Sequence, residues 1–331
     1  MPLTHFDFGI ATPLVVGPSQ MPVVPTNGNV FFLDGNNGSD GYDGRTPDRA
    51  FKTLDGAGVV GAGAYAACVG NANEIIYILG GTTVHLAAAF VWAKNNTHLI
   101  GLAAPTGIAG RARISATAVF TPMFTVTGRG CIFSNFEIFF GQTSATGAAV
   151  CWLAQGQNNY YGNVHFAGGG DATQAADASC RSLVIDGGGA GSGNGENLFE
   201  NCVIGLDTIP QVGASFLLEV KANSFAARNR FKNCFFDMTV TATAPAFVSI
   251  GASSLQRFIS FENCIFHAVP SAGSATPAQA FAIDSACNGN VILHNSMVIG
   301  CTALVTGNSA RLFGDTAGGA TTANRGVALT G

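Results

Sequence analysis

Apolar and polar positions alternate in short runs along most of this chain, and the runs return at a near-constant interval. FENCIFHA (261–268), FKNCFFDM (231–238) and FENCVIGL (199–206) share one order: ring, charge, Asn, Cys, then apolar residues. Looser copies stand at FSNFEIFF (133–140), YGNVHFAG (161–168) and LHNSMVIG (293–300). The spacings between Asn135, Asn163, Asn201, Asn233, Asn263 and Asn295 are 28, 38, 32, 30 and 32. A period of this size marks a repeat architecture.

Aligned on Asn, the copies separate inside from outside. Two residues before it stand Phe133, Tyr161, Phe199, Phe231, Phe261 and Leu293. One after it come Phe136, Val164, Cys202, Cys234, Cys264 and Ser296; three after, Ile138, Phe166, Ile204, Phe236, Phe266 and Val298. These positions face inward. The residue just before Asn is Ser134, Gly162, Glu200, Lys232, Glu262 or His294, and faces outward. Alternation with period two is strand geometry. It breaks at Asn, where the inward spacing becomes three. Asn tolerates the left-handed conformation that a tight bend requires. The unit is strand, bend at Asn, strand.

Leucine-rich and two-helix repeats demand other patterns, which are missing. Short strands rich in Phe, Val and Ile between Gly, Asn and Ser predict a β-solenoid with one coil per repeat. Like residues then stack about 4.8 Å apart. This predicts a Phe stack, an Asn ladder and a Cys stack inside. It also predicts an outward row of Glu200, Lys232 and Glu262 with alternating sign, which avoids like-charge repulsion.

The repeats resemble right-handed parallel β-helix proteins of the pectate-lyase-like superfamily, in which Asn ladders at a bend are common. VFFLDGNNGSDGYDGRTPDRAFKTLDGA (30–57) resembles the opening segment of a β-helix group frequent in bacteriophage virion proteins and found in some secreted proteins, with NEIIYILGGTTVHL (73–86) following as the first strand. The resemblance covers roughly residues 28–305. A first coil needs its open edges and core covered. Residues 54–68 are expected to do this as a helix, with Thr53 as N-cap and Asp55 in the first turn. Gly56, Gly58, Gly61 and Gly63 oppose it at about 1 kcal/mol each.

The expected fold is therefore all-β: a single-stranded right-handed parallel β-helix of about seven coils, with an N-terminal capping helix and extended terminal arms. The expected segments are an arm over 1–27, opening strand, turn and helix over 28–72, the β-helix over 73–306, and a tail or cap over 307–331. MPLTHFDFGIATPLVVGPSQMPVVPTN is Pro-containing and apolar without a period, so it is expected to lie on another subunit or on its own solenoid. The interval from 163 to 201 holds two Gly-rich loops, 167–179 and 187–197, read as lateral excursions available for binding.

Composition changes the picture in one respect. Charged residues are only 10% of the chain against 47% hydrophobic, which fits a large buried surface or burial against partner subunits. Net charge is −4, so no nucleic-acid footprint is expected. No transmembrane span is expected either: 56–73 is Gly and Ala, not a Leu-rich stretch. The first residues lack the basic and continuous apolar segments of an export signal. Nine cysteines without a CxxC pair, three of them at one inward position, read as small buried hydrophobes in a chain folding in a reducing cytoplasm. Stacked parallel strands suit disulfide geometry poorly.

Glycoside hydrolysis requires two carboxylates about 5–10 Å apart. The Asn-Thr-Asp, Asp-Asp, Gly-His-Gly and Arg-Ile-Lys motifs of the polygalacturonase relatives do not occur here. Asp171, Asp177, Asp186, Glu196, Asp207, Glu219, Asp237 and Asp284 read as scattered. Arg228, Arg230 and Lys232 alternate along one face, as a substrate strip or a solvated or subunit-contacting face. Asp34, Asn36, Asp40 and Asp43 on a Gly-rich loop offer oxygen ligands for Ca²⁺, and equally form turns. His5, His85, His98, His165, His267 and His294 show no ligand spacing; His165 and His267 read as ordinary surface or satisfied residues.

No catalytic, cofactor or metal site is assigned. The resemblance implies a non-enzymatic structural protein of a tailed bacteriophage virion, made in the host cytoplasm. A capsid-decorating or cement role beside the major capsid protein is expected, as a homotrimer by analogy. A tailspike or tail fibre that binds or cleaves host-surface glycan is one alternative, and a secreted bacterial adhesin another.

Overall fold

The structure, a computed structural model, describes residues 28–59, 61–103, 111–141, 150–187, 194–271, 276–305 and 309–314. Its strands form three parallel sheets, here called first, second and third in the order the chain visits them; they hold ten, eight and seven strands. One winding runs Asn229–Lys232 in the first sheet, Phe235–Val240 in the second and Ala246–Ile250 in the third. The next runs Phe258–Glu262, Ile265–Pro270 and Phe281–Ile283, each strand pairing parallel with its predecessor. Seven windings, from Glu74 to Ile283, place a strand in all three sheets. Val30–Leu33 and Leu312–Gly314 extend the first sheet at its two ends.

The bend between the first and second sheets is made by the repeated Asn. Asn135, Asn163, Asn201, Asn233, Asn263 and Asn295 all take positive φ, between 46° and 63°. That left-handed residue swings the chain through the corner, which is why the alternation of the sequence breaks there. Registers place Phe199, Phe231 and Phe261 directly above one another. Their rings stack: Tyr161 on Phe199 at 4.4 Å, Phe199 on Phe231 at 4.4 Å and Phe231 on Phe261 at 5.1 Å. Cys202, Cys234 and Cys264 form the expected column, and all nine cysteines are buried and unbridged. Burial raises the Cys234 thiol well above its ordinary value, so it is an inert packing group.

Four expectations need correction. Of the Asn ladder only Asn135 lies inside. Asn201, Asn233, Asn263 and Asn295 are exposed at the corner, where Asn295 Nδ2 donates to Asn263 Oδ1 (2.7 Å) and Asn263 Nδ2 to Asn233 Oδ1 (3.3 Å). A second column does lie inside: Asn159, Asn197 and Asn229, four residues earlier in each copy. Asn197 Oδ1 accepts from Asn159 N (3.0 Å), and Asn229 Oδ1 accepts from Asn197 N (3.2 Å). Buried amides that bond backbone on the neighbouring winding satisfy groups that water cannot reach.

The capping helix is the second correction. The described residues of 54–68 hold only a 3₁₀ turn at Gly56–Gly58 and one α-turn at Ala64–Ala67. Gly56, Gly61 and Gly63 take φ of 73°, 82° and 83°, and at Gly63 a side chain would meet the Gly56 backbone. Thr53 caps nothing; its hydroxyl and N–H both bond Asp40. The segment still covers the first winding, since Leu54, Ala64 and Cys68 are buried and Tyr65 packs 4.7 Å from Trp92. Third, the outward row before Asn reaches solvent only in its later members: Ser134 and Gly162 are buried, Glu200, Lys232 and Glu262 are half-buried, and His294 is exposed. Lys232 pairs with Glu200 at 3.6 Å, while Glu262 takes Arg230 at 4.0 Å instead. The stretch 73–86 is also two strands, Glu74–Leu79 and Thr83–Leu86, with the Gly80–Gly81 turn between them.

Candidate binding recess on the second sheet

The outward face of the second sheet carries one column in strict register: Thr83, Arg113, Glu137, His165, Val203, Phe235, Ile265 and Met297. Midway along it lies a recess of about 410 Å³, within the size range of small-ligand sites. Arg113, Glu137, Phe139, His165, Phe235, Asp207 and Asp237 line it.

Glu137 is its anchor. The side chain is only 3% exposed, and both oxygens are engaged: Arg111 Nη1 lies 2.6 Å from Oε1 and Arg113 Nε 2.5 Å from Oε2. A buried carboxylate persists in such a place only when paired and hydrogen-bonded. His165 completes the group. Arg111 Nη1 donates to its Nδ1 (3.3 Å), and its Nε2 donates to the Gly205 carbonyl (2.9 Å). That pattern fixes the neutral tautomer, and burial depresses the pKa in the same sense. Arg113 lies 5.5 Å from the centroid of Phe139, and its terminal amino groups have no protein partner among the described residues.

The opposite wall carries acids. His267 Nδ1 donates to Asp237 Oδ1 at 2.9 Å, and the His267 ring stacks beside Phe235. Burial nonetheless raises the Asp237 pKa, with nearby Asp207 adding in the same direction. Asp207 is exposed, and its carboxylate makes no hydrogen bond among the described residues. The recess is thus a small polar chamber with two phenyl rings, fixed donors on one wall and acceptors on the other.

Of the acids that read as scattered, the structure brings together Asp207 and Asp237 only. Asp171 caps a single turn at Ala172–Ala175, Asp177 and Asp284 each accept a local backbone N–H, and Asp186, Glu196 and Glu219 pair with Lys221, Arg228 and Arg181. Arg228, Arg230 and Lys232 do not form a free cationic strip, because each faces an acid on a neighbouring winding. In the opening loop Asp34 accepts from the N–H groups of Asn36 and Asn37, Asp40 from Lys52 and Thr53, and Asp43 from Arg45 and Arg49. These oxygens build turns. No group of three or more His, Cys, Asp or Glu with metal-binding geometry occurs among the described residues.

Sequence reasoning missed Arg111, Arg113, Glu137 and Phe139. Its one available signal was Glu137 itself, a charge at the outward position where later copies carry Val203, Phe235, Ile265 and Met297. His165 and His267 are both hydrogen-bonded; His165 lines the recess, and His267 stands behind its acidic wall, bonded to Asp237. The arm over 1–27 and most of the 187–197 loop lie outside the described residues.

No protein-family model matches the chain, and no curated protein matches its sequence. Its fold is similar to that of several solved structures. Pectate lyase Pel9A superposes with a TM-score of 0.55 at 14% identity over 82% of this chain, which spans 63% of that enzyme's length. A rhamnogalacturonan lyase gives 0.55 at 16% identity, with 87% of this chain and 73% of the other covered. Pectin methylesterase PemA from Erwinia chrysanthemi gives 0.51 at 14% identity, covering 90% and 92%. The fold is a right-handed parallel β-helix of pectate-lyase-like type. At such identity the likeness carries fold and not activity.

Proposed function

We propose that this chain is a non-enzymatic structural protein of a tailed bacteriophage virion, assembling in several copies, with decoration of the capsid as its place. The observation that carries the reading is the far half of the outward column. Over four consecutive windings it is apolar: Val203, Phe235, Ile265 and Met297, the last two 42% and 49% exposed. Val269, two strand positions beyond His267 on the same face, is 40% exposed. A continuous apolar strip on a chain this poor in charge is the mark of a surface that another protein covers. Meanwhile most of the acids are committed to ion pairs and turns, which leaves few groups for acid–base chemistry.

The test is to locate the protein in purified particles by electron microscopy, together with the solution mass of the isolated chain. Density for a β-helix standing on the capsid and a mass of three chains support the reading. A monomer with depolymerase activity on host polysaccharide would replace it with the tailspike reading.

A further inference from the structure

The recess on the second sheet is not explained by a structural role, and its chemistry restricts what it can hold. Its formal charges nearly cancel: Arg111 and Arg113 against Glu137, Asp207 and Asp237, two positive and three negative, with His165 neutral. An anionic ligand would meet Asp207 and Asp237. A metal ion would meet the guanidinium pair that already neutralises Glu137. An apolar ligand would strand the donors of Arg113 and the acceptors of Asp207, at the usual cost of unpaired polar groups.

We infer that the recess binds an uncharged saccharide. A sugar ring presents hydroxyls that both donate and accept, together with apolar C–H faces. Asp207 and Asp237 can accept from hydroxyls while the unpaired amino groups of Arg113 donate to others, and charge-assisted bonds of this kind are the stronger ones. Phe139 and Phe235 supply flat apolar area for the C–H faces. The donor wall is preorganised: Glu137 holds Arg111 and Arg113, and the Gly205 carbonyl holds His165. Little ordering remains to be done on binding. Preference for neutral over acidic sugars follows from the carboxylate wall. The inference goes beyond the structural role and does not depend on it.

The full-length chain is screened on an array of neutral gluco-, manno-, galacto- and N-acetylhexosamine oligosaccharides beside oligogalacturonate, and hits are titrated by calorimetry. Saturable binding to at least one neutral series is expected, with oligogalacturonate about tenfold weaker or more. Asp207→Asn removes a charge whose side chain makes no hydrogen bond among the described residues, so the fold is kept. It should weaken the hit several-fold, and Phe139→Ala about tenfold. Failure of every neutral series to bind at millimolar concentration overturns the inference. So does tighter binding of oligogalacturonate, or affinity that Asp207→Asn and Phe139→Ala both leave unchanged.

Discussion

The two halves of the outward column on the second sheet differ in everything but geometry. Arg113, Glu137 and His165 sit at the same strand position as Val203, Phe235, Ile265 and Met297, one winding after another. In the early half each side chain is held by its neighbours: Glu137 by Arg111 and Arg113, His165 by Arg111 and Gly205. In the late half Ile265 and Met297 stay 42% and 49% exposed among the described residues. A repeat fixes where a side chain points, and the residue placed there decides whether the position closes a local network or waits for another molecule. Stability should therefore depend on the early half and association on the late half.

The largest effect is expected at Glu137. Glu137→Leu leaves the Arg111 and Arg113 guanidiniums facing an apolar side chain in a largely buried place, and should cost about 3 kcal/mol by urea unfolding. Glu137→Gln keeps the shape and one acceptor but loses the charge, and should cost roughly half as much, about 1–2 kcal/mol. Equal losses for the two variants would show that packing rather than charge matters at this position.

Ile265→Asp combined with Met297→Asp should move unfolding by no more than about 0.5 kcal/mol, because both side chains are exposed. The same pair should reduce the solution mass of an oligomer to that of one chain, read by light scattering. A large loss of stability with unchanged mass would invert the comparison.

A pH dependence is also expected from the early windings. His98 is buried, accepts the Ile132 N–H on Nδ1, and has its pKa depressed to about 4 by burial. His165 is depressed for the same reason. A histidine whose folded pKa lies below its unfolded value takes up protons more readily when unfolded, so stability falls as pH drops from about 6.5 towards 4. The unfolding midpoint should decline across that window. His98→Gln, which can still accept the Ile132 N–H, should flatten the decline, and an unchanged slope would assign it elsewhere.

The winding was legible because Asn does one conspicuous thing. Six times it turns the corner at positive φ, and the inward positions around it are apolar without exception until Ser296. The inner ladder went unread: Asn-x-x-x-Asn occurs at 159–163, 197–201 and 229–233, but Cys131, Ile259 and Val291 hold that position in other copies and mask it. The helix expectation failed because glycines at positive φ let a chain cover a core without forming one, as Gly56, Gly61 and Gly63 do. The recess was illegible for a different reason. Leu99 pairs with Phe133, which puts Gly101 in the place of Asn135, so the winding that leads to Arg113 lacks the marker residue. Without that register Arg113 cannot be aligned with Glu137. The approach of Asp207 to Asp237 likewise depends on which strands are neighbours.

The column of Cys202, Cys234 and Cys264 makes the chain's vulnerability to oxidants depend on timing. Once wound, the thiols are shielded from solvent and a mild oxidant finds no reagent-accessible sulfur. Before winding, nine sulfhydryls hang on an open polymer, and any cross-link among them would lock residues from different levels at the wrong separation. Purification from a denatured state should thus succeed under reductant and stall in air.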